Sequence, residues 1–195
     1  MATKPEDVLR SGDALIIVDV QNDFCPGGAL PIENGDEVVP VLNRWIRAAV
    51  AAHIPVYASR DWHPVGHISF RQQGGLWPPH CLQDSDGAQF HPGLHLPDST
   101  VKITKGVRFD QDQNSIFDAT GLSTELHRKG IRRVWIGGLA EDVCVLASVL
   151  DARQNNFDVV VIENATRPVS GDNGEKARRK MREAGASFES LWRFS

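Results

Sequence analysis

The chain has 195 residues, of which 41% are hydrophobic and 24% are charged, so it can bury a substantial core without disulfide or metal staples. The net charge of -4 gives no reason to expect nucleic acid or an anionic membrane surface as a partner. No apolar run reaches the roughly 20 residues that a membrane-spanning helix needs. Three cysteines in unrelated contexts, and a first segment without an apolar signal-peptide core, predict a cytoplasmic location without a disulfide framework.

The first half of the chain predicts two strands, one helix and a long loop. Residues 14–18 form a continuous apolar, β-rich run, which is typical of a strand buried on both faces. A helix is expected over residues 36–53, with Asp36 as its cap, and a second strand over residues 54–59. Residues 61–98 are irregular and rich in Gly, Pro and His. Ordered loops of that length usually carry function.

The second half continues the alternation of strands and helices. In chain order we expect a strand over 101–104, a helix near 115–129, a strand over 134–137, a helix from the Cys144 segment to about 154, a strand over 157–162, a helix over 173–184 and a strand over 187–191. Such alternation indicates βαβ units with right-handed crossovers. We therefore predict an α/β fold, a three-layer sandwich around a mostly parallel sheet of about six strands, as one domain over residues 1–195.

Four chemically capable residues lie at the ends of predicted strands. Asp19, Asp61, Lys105 and Cys144 follow the first, second, third and fourth strand. In open α/β sheets the ligand crevice lies at the carboxyl ends of the strands. We therefore expect these side chains to meet at one edge of the sheet.

Cys144 follows two glycines at the start of a predicted helix, where a thiolate is favoured. Lowering a thiol pKa by two units takes about 2.7 kcal/mol, whereas a helix terminus supplies about 0.3–1 kcal/mol, or about 2 when partly buried. A nucleophilic Cys144 therefore needs a cation and a base, which Lys105 and Asp19 can provide. The alternative is structural: a small buried cysteine, a loop-capping Asp19 and a solvated Lys105.

The long loop contains a second set of candidates. In extended backbone Asp61 and His63 point to the same side, about 6–7 Å apart, and His67 and His80 follow. Two imidazoles and one carboxylate suit Zn²⁺, Fe²⁺ or Mn²⁺, with His67 as a fourth ligand or a supporting partner. The alternative is local hydrogen bonding within a proline-rich loop. Three aromatic residues could wall a pocket for a flat ring or belong to the core: Phe24, Trp62 and Trp77.

Five motifs carry a resemblance to a known family. They lie, in matching order and spacing, at residues 18–30, 60–70, 75–81, 104–106 and 138–145. Together they resemble the nicotinamidases, also called pyrazinamidases, of the isochorismatase-like cysteine hydrolases. The resemblance covers nearly the whole chain and implies deamidation of nicotinamide to nicotinate and ammonia through a thioester, with pyrazinamide as a further substrate. The expected partner is thus a small-molecule substrate, with neither nucleic acid nor membrane, as the charge already indicated, and a homo-oligomer stays open.

The resemblance also implies roles for individual residues. It implies a catalytic triad of Asp19, Lys105 and Cys144, and an oxyanion hole from the amides of Ala140 and Cys144, with a cis peptide before Ala140. It implies one divalent transition metal, zinc before iron or manganese. The implied metal ligands are Asp61, His63 and His80, with His67 as a ligand in some members, and the implied ring-packing residues are Phe24 and Trp77.

Three positions depart from the family pattern. Glu141 stands where many members have Thr, Val143 where they have an aromatic residue or His, and Asn114 where they have a pocket Tyr. These departures leave the choice of ring open. Two alternatives remain: another family hydrolase acting on a different small amide without a metal, and a non-catalytic binding protein with the same fold. A redox role is disfavoured because the chain has no C-x-x-C pair.

Overall fold

The computed structural model describes residues 4–190 and contains one sheet of six parallel strands. The strands are β1 (Asp13–Val18), β2 (Val56–Asp61), β3 (Val101–Lys105), β4 (Arg133–Leu139), β5 (Asp158–Arg167) and β6 (Ser187–Glu189). Their spatial order is β3-β2-β1-β4-β5-β6. β1 is buried along its whole length, as its continuous apolar pattern predicted. The predicted α/β fold with a parallel six-stranded sheet is confirmed.

Helices cover both faces of this sheet. They are α1 (Pro5–Val8), α2 (Val38–Ala51), α3 (Leu122–Arg128), α4 (Leu146–Gln154) and α5 (Gly171–Glu183). α1 and α2 pack on one face, where Trp45 of α2 meets Trp135 of β4 with ring centroids 4.8 Å apart. α3, α4 and α5 bury their apolar sides on the other face. Within residues 4–190, no helix combines the length and apolarity needed to cross a membrane.

Two predicted helices begin later than expected. Asp36 does not cap α2, because residues 35–37 form a 3₁₀ turn and the α-helix begins at Val38. Likewise α3 begins at Leu122 rather than near residue 115, since Ala119 and Gly121 have φ angles of 54° and 76° that an α-helix does not contain. α3 is therefore a short helix of 7 residues after an irregular segment.

Three further boundaries differ from the predictions. The fifth strand extends beyond residue 162 to Arg167, past an irregularity in its pairing with β4. The final strand ends at Glu189, and the predicted residue 191 lies outside the described residues, as do both ends of the predicted domain 1–195. The short helix α1 was not predicted because its 4 residues are too few for a periodic pattern.

The direction of the connections changes at the centre of the sheet. From β1 the chain builds β2 and β3 on one side and then crosses to β4 on the other side of β1. A crevice forms at such a switch point, at the carboxyl ends of the two central strands. Gly138 allows their close approach, because a Cβ there would lie 2.0 Å from the Val18 carbonyl oxygen and its φ is +129°. The residues that follow β1 and β4 therefore face each other across this crevice.

Candidate active site

The structure brings Asp19, Lys105 and Cys144 together at this crevice. Lys105 Nζ lies 2.7 Å from Asp19 Oδ2 and 3.6 Å from Cys144 Sγ. Asp19 and Lys105 are fully buried, and Cys144 is 5% exposed. A carboxylate oxygen of Asp19 lies within 4.8 Å of Cys144 Sγ. Three residues at or just beyond the ends of three different strands thus form one cluster of carboxylate, ammonium and thiol.

Lys105 and Asp19 are both held by buried polar contacts. Its ammonium group donates hydrogen bonds to Asp61 Oδ1 (2.6 Å), the Gln113 carbonyl (3.2 Å) and Cys144 Sγ (3.6 Å). Asp19 Oδ1 accepts a hydrogen bond from Ser59 Oγ at 2.7 Å. Asp19 Oδ2 is the close counter-ion of Lys105, and no other group within residues 4–190 donates a hydrogen bond to it.

Electrostatics of the cluster favour a neutral thiol at rest. Burial raises the pKa of Cys144 well above its usual value, although Lys105 acts in the opposite direction. Burial also raises the pKa of Asp19, again against the charge of Lys105. Burial would lower the pKa of Lys105, but the charges of Asp19 and Asp61 raise it well above its usual value. Lys105 is therefore a permanent cation, and the thiol needs its neighbouring base.

Cys144 lies in a turn between β4 and α4. The Leu139–Ala140 peptide bond is cis, as the resemblance implied. Glu141–Val145 then form one π-helical turn, in which the Ala140 carbonyl accepts hydrogen bonds from the amides of Val143 (3.1 Å) and Val145 (3.0 Å). The α-helix itself begins only at Leu146. The expected position of Cys144 at the start of a helix holds, but the first turn is a π turn.

Asp61, His63 and His80 form a second cluster beside the first. Their ligand atoms lie within 4.8 Å of one another, and all three side chains are buried. Asp61 Oδ2 and His63 Nε2 are 3.6 Å apart. Two ligands at about 2.0 Å from a tetrahedral zinc ion are separated by about 3.3 Å, so this spacing fits one ion. Burial raises the pKa of Asp61, but the charge of Lys105 and the hydrogen bond with His63 lower it below its ordinary value, which keeps the carboxylate ionised.

Backbone carbonyls orient both histidines towards a shared point. His63 Nδ1 is 2.8 Å from the Gly106 carbonyl oxygen, and His80 Nδ1 is 2.8 Å from the Pro78 carbonyl oxygen. Each Nδ1 therefore carries the proton, and each Nε2 presents a lone pair, as in metal-ligating histidines. A Cβ at Gly106 would lie 2.5 Å from the His63 ring, so only glycine fits there. This donor set fits a divalent transition metal.

His67 is next to this set but is not part of it. Its ring stacks on that of His63 with centroids 4.1 Å apart. Its Nδ1 contacts Ser69 Oγ at 2.8 Å and its Nε2 contacts the Gln111 carbonyl at 3.3 Å. Both nitrogens thus have protein partners, and the structure places His67 behind His63. Asp19, Asp61 and Cys144 also approach one another, but Lys105 already occupies the space among them with a positive charge.

Cys144 of the first cluster and all three residues of the second line one cavity. Phe24 and Trp77, the two predicted ring-packing residues, lie in its wall with Cys144, Asp61, His63 and His80. Trp62 does not line the cavity. It packs against the core while the Arg60 guanidinium covers its ring at 4.1 Å, so the suggestion that it walls the pocket is wrong. The cavity is therefore bounded by the thiol, the metal donors and two aromatic rings.

The three departures from the family pattern lie in different places. Val143 and Asn114 line the cavity. Glu141 does not: its fully buried carboxylate receives hydrogen bonds from Arg178 of α5, one of them 3.0 Å long. Glu141 therefore fastens the turn that contains Cys144 to α5, and only Val143 and Asn114 border the cavity.

Several polar residues that hold the site were not predicted. Gln21 donates to the carbonyls of Asp61 and Ala88 (2.8 Å each) and accepts from the Asp61 amide at 2.7 Å. Asp23 accepts from the amides of Ala29 (3.0 Å) and Cys81 (2.7 Å), which ties the loop after β1 to the residue beside His80. The signal for both was the polar segment at residues 19–23, directly after the apolar run at residues 14–18.

The isochorismatase domain profile matches residues 13–191 of the chain. This match spans more than half of the chain and includes both clusters. The chain belongs to the isochorismatase family. Its sequence is 38% identical to the nicotinamidase of Escherichia coli over 201 aligned positions, covering 91% of this chain and 94% of that protein. The predicted resemblance, and with it the prediction of an amide-hydrolysing enzyme, is confirmed.

Solved structures of this family have the same architecture. The pyrazinamidase of Pyrococcus horikoshii, determined in complex with zinc, superposes with a TM-score of 0.89 at 39% identity, covering 92% of this chain and 99% of that one. PnC1 from L. infantum, determined in complex with nicotinate, superposes with a TM-score of 0.86 at 39% identity, covering 94% of this chain and 96% of that one. The three-layer fold of this isochorismatase-family protein is thus shared with both.

Proposed function

We propose that this protein hydrolyses nicotinamide to nicotinate and ammonia, with Asp19, Lys105 and Cys144 as the catalytic residues. The observation that carries the proposal is the shared cavity. The Cys144 thiol and the donor set of Asp61, His63 and His80 face the same space, which aromatic rings border. A flat heteroaromatic amide can contact both ends of this cavity at once. The similarity to nicotinamidases supports this substrate.

In the first step Cys144 attacks the carboxamide carbon. Asp19 Oδ2 takes the thiol proton, and the adjacent Lys105 ammonium stabilises the thiolate that forms. Burial raises the pKa of the thiol, so Cys144 keeps its proton at rest and gives it up only when substrate is in place. We propose that proton transfer to Asp19 and attack on the carboxamide carbon occur together, without a resting thiolate.

The developing negative charge on the substrate oxygen needs donors on the opposite side. We assign this role to the backbone N–H groups of Ala140 and Cys144, which belong to the same turn at the cavity wall. Donors of this kind typically contribute several kcal/mol, about 2.7–4 for one of them. The hydrogen bonds that the Ala140 carbonyl accepts from Val143 and Val145 hold this turn in place before substrate arrives.

In the rest of the reaction Asp19 acts first as an acid and then again as a base. Asp19, now protonated, gives its proton to the departing nitrogen, so ammonia leaves and a thioester of Cys144 remains. A water molecule then attacks the thioester carbon while Asp19 takes its proton. The C–S bond breaks, the proton returns to Cys144, and nicotinate leaves. Lys105 remains protonated throughout, because two buried carboxylates hold its charge.

Asp61, His63 and His80 would hold one divalent transition metal, and we propose zinc in preference to iron or manganese. His67 would support this site through its ring contact with His63. When bound, the ion would offer an electrophilic contact to the pyridine nitrogen, directly or through a water ligand. Phe24 and Trp77 would pack against the ring. Together these contacts would orient the carboxamide over Cys144. Pyrazinamide presents a ring nitrogen at the same distance from its amide and is proposed as a further substrate.

Another small amide remains the alternative substrate within the family. The buried donor set favours the proposed function, because the ring nitrogen of nicotinamide offers a lone pair to a metal at this position and a substrate without a ring nitrogen lacks that contact. The cytoplasmic location and the oligomeric state stay predictions.

The test is ammonia release from nicotinamide by the purified protein. Cys144→Ala should abolish release and leave the bound metal, measured by elemental analysis, unchanged. Cys25→Ala is the matched control, because Cys25 lies in the core outside the cavity wall and should keep most of the activity. Removal of the metal by a chelator should abolish release, and added Zn²⁺ should restore it. Wild-type-like turnover by Cys144→Ala would refute the mechanism, and the absence of turnover in the metal-loaded wild type would refute the substrate.

A further inference from the structure

Asn114 places an amide group beside the nucleophile. Its Oδ1 lies 3.9 Å from Cys144 Sγ, and its half-buried side chain lines the cavity. Within residues 4–190, the thiol is the one hydrogen-bonding partner of this side chain. Asn114 is therefore not engaged in holding the fold, and its polar group faces the space in which the scissile amide would lie.

Asn114 differs from Lys105 and from the backbone amides near the sulfur in its hydrogen-bonding character. Lys105 is a donor, and the backbone amides assigned to the oxyanion hole are also donors. The Asn114 oxygen that faces the thiol is an acceptor, because the thiol donates to it. The Asp19 carboxylate is the other acceptor near the sulfur, but it is paired with Lys105 and is proposed to take the thiol proton. The Asn114 oxygen therefore offers a neutral acceptor for an N–H group of the substrate.

Simple geometry places a substrate N–H group within reach of this acceptor. A carbon poised for attack lies about 3–3.5 Å from the sulfur, and its amide nitrogen is about 1.33 Å from that carbon. With Oδ1 3.9 Å from the same sulfur, the nitrogen can lie at hydrogen-bonding distance, about 2.9 Å. A carboxylate product has an oxygen at this position instead, and two acceptors would then face each other.

We propose that Asn114 distinguishes substrate from product: its Oδ1 accepts a hydrogen bond from the NH₂ group of the scissile carboxamide and gives no such support to the carboxylate that replaces it. This inference rests on the proposed function, since it concerns the same cavity and the same amide. It makes Asn114 a substrate-positioning residue that lowers affinity for the product relative to the substrate.

The test compares two ligands of the same shape, nicotinamide and nicotinate, in a metal-loaded Cys144→Ala background that does not turn over. Calorimetry gives both dissociation constants. Adding Asn114→Ala should weaken nicotinamide binding about 5–10-fold, the effect of one lost hydrogen bond, and change nicotinate binding less than about 2-fold. Adding Asn114→Asp keeps an acceptor and adds a negative charge. It should leave nicotinamide within about 3-fold and weaken nicotinate more than about 10-fold.

The control is Asn173→Ala, which removes an exposed asparagine on α5 and should change neither constant. Equal losses of both ligands in Asn114→Ala, or a loss that the control reproduces, would overturn this inference alone. Absence of wild-type turnover of nicotinamide, together with no binding of either ligand, would overturn the proposed function and this inference with it.

Discussion

Glu141 and Arg178 offer the sharpest test of how the nucleophile turn is held. The Glu141 side chain is 0% exposed, whereas that of Arg178 is 34% exposed, and the guanidinium donates to both carboxylate oxygens. The pair joins the turn that contains Cys144 to α5. We expect Arg178→Ala to destabilise the protein more than Glu141→Gln, because only the first change leaves a charge buried without a partner.

The expected magnitudes follow from this asymmetry. Removing one partner of a fully buried ion pair costs about 3–5 kcal/mol. Since about a third of Arg178 is in water, solvent can approach the vacated space, and we expect about 2–3 kcal/mol for Arg178→Ala. Glu141→Gln keeps the shape and one acceptor, and Arg178 can turn to water, so about 1 kcal/mol is expected. The double variant should lose less than the sum, by at least about 1 kcal/mol.

Urea unfolding measures these changes in the free energy of unfolding for the wild type, both single variants and the double variant. For an m value of about 2–3 kcal/mol/M, Arg178→Ala should lower the midpoint by about 1 M. The control is Arg179→Ala, an exposed neighbour on the same helix, whose effect should stay within about 0.5 kcal/mol. A loss in Arg178→Ala no larger than in this control would refute the reasoning.

Three further changes test the site itself. Lys105→Met should destabilise the protein by about 3–5 kcal/mol in urea unfolding and abolish ammonia release, because Asp19 and Asp61 lose their shared cation; retention of wild-type stability would contradict this. Gln21→Ala should weaken metal binding about 10–100-fold, because the side chain of Gln21 holds the backbone of Asp61. Competition with a chromogenic chelator measures this affinity, and an unchanged affinity would contradict the prediction. Ser59→Ala should lower kcat about 3–10-fold in steady-state kinetics with little change in KM, because it frees Asp19 to rotate; an effect on KM alone would show a different role.

The sequence predicts the layers of this fold well, because strands buried on both faces leave continuous apolar runs. Residues 14–18 and 157–162 are such runs, and each belongs to a strand that has a neighbouring strand on both sides. Strand order has no such local signature, since it depends on which strand each crossover reaches. The rule that functional residues gather at the carboxyl ends of parallel strands needs no strand order. It was therefore sufficient to bring Asp19, Lys105 and Cys144 together.

What could not be predicted depends on contacts between loops. Gln21 and Asp23 bind backbone groups of residues about 40–70 positions away, and no periodic pattern marks such pairs. The partner of Glu141 lies on a helix 37 residues further along the chain. The place of Trp62 was left open for the same reason, since the choice between cavity and core depends on how the long loop folds. Its neighbour His63 points to the cavity because the Gly106 carbonyl fixes its ring.

The register of β2 and β3 explains why the two clusters of the site are adjacent. Asp61 and Lys105 are direct partners in this parallel pair, and both are the last residues of their strands. Asp61 can therefore give one oxygen to Lys105 and keep the other beside His63, so a single carboxylate belongs to both clusters. A shift of one residue would turn one of the two side chains to the opposite face of the sheet. Neither cluster would then form, which makes this register the structural condition for placing the Cys144 thiol and the Asp61, His63 and His80 donor set in one cavity.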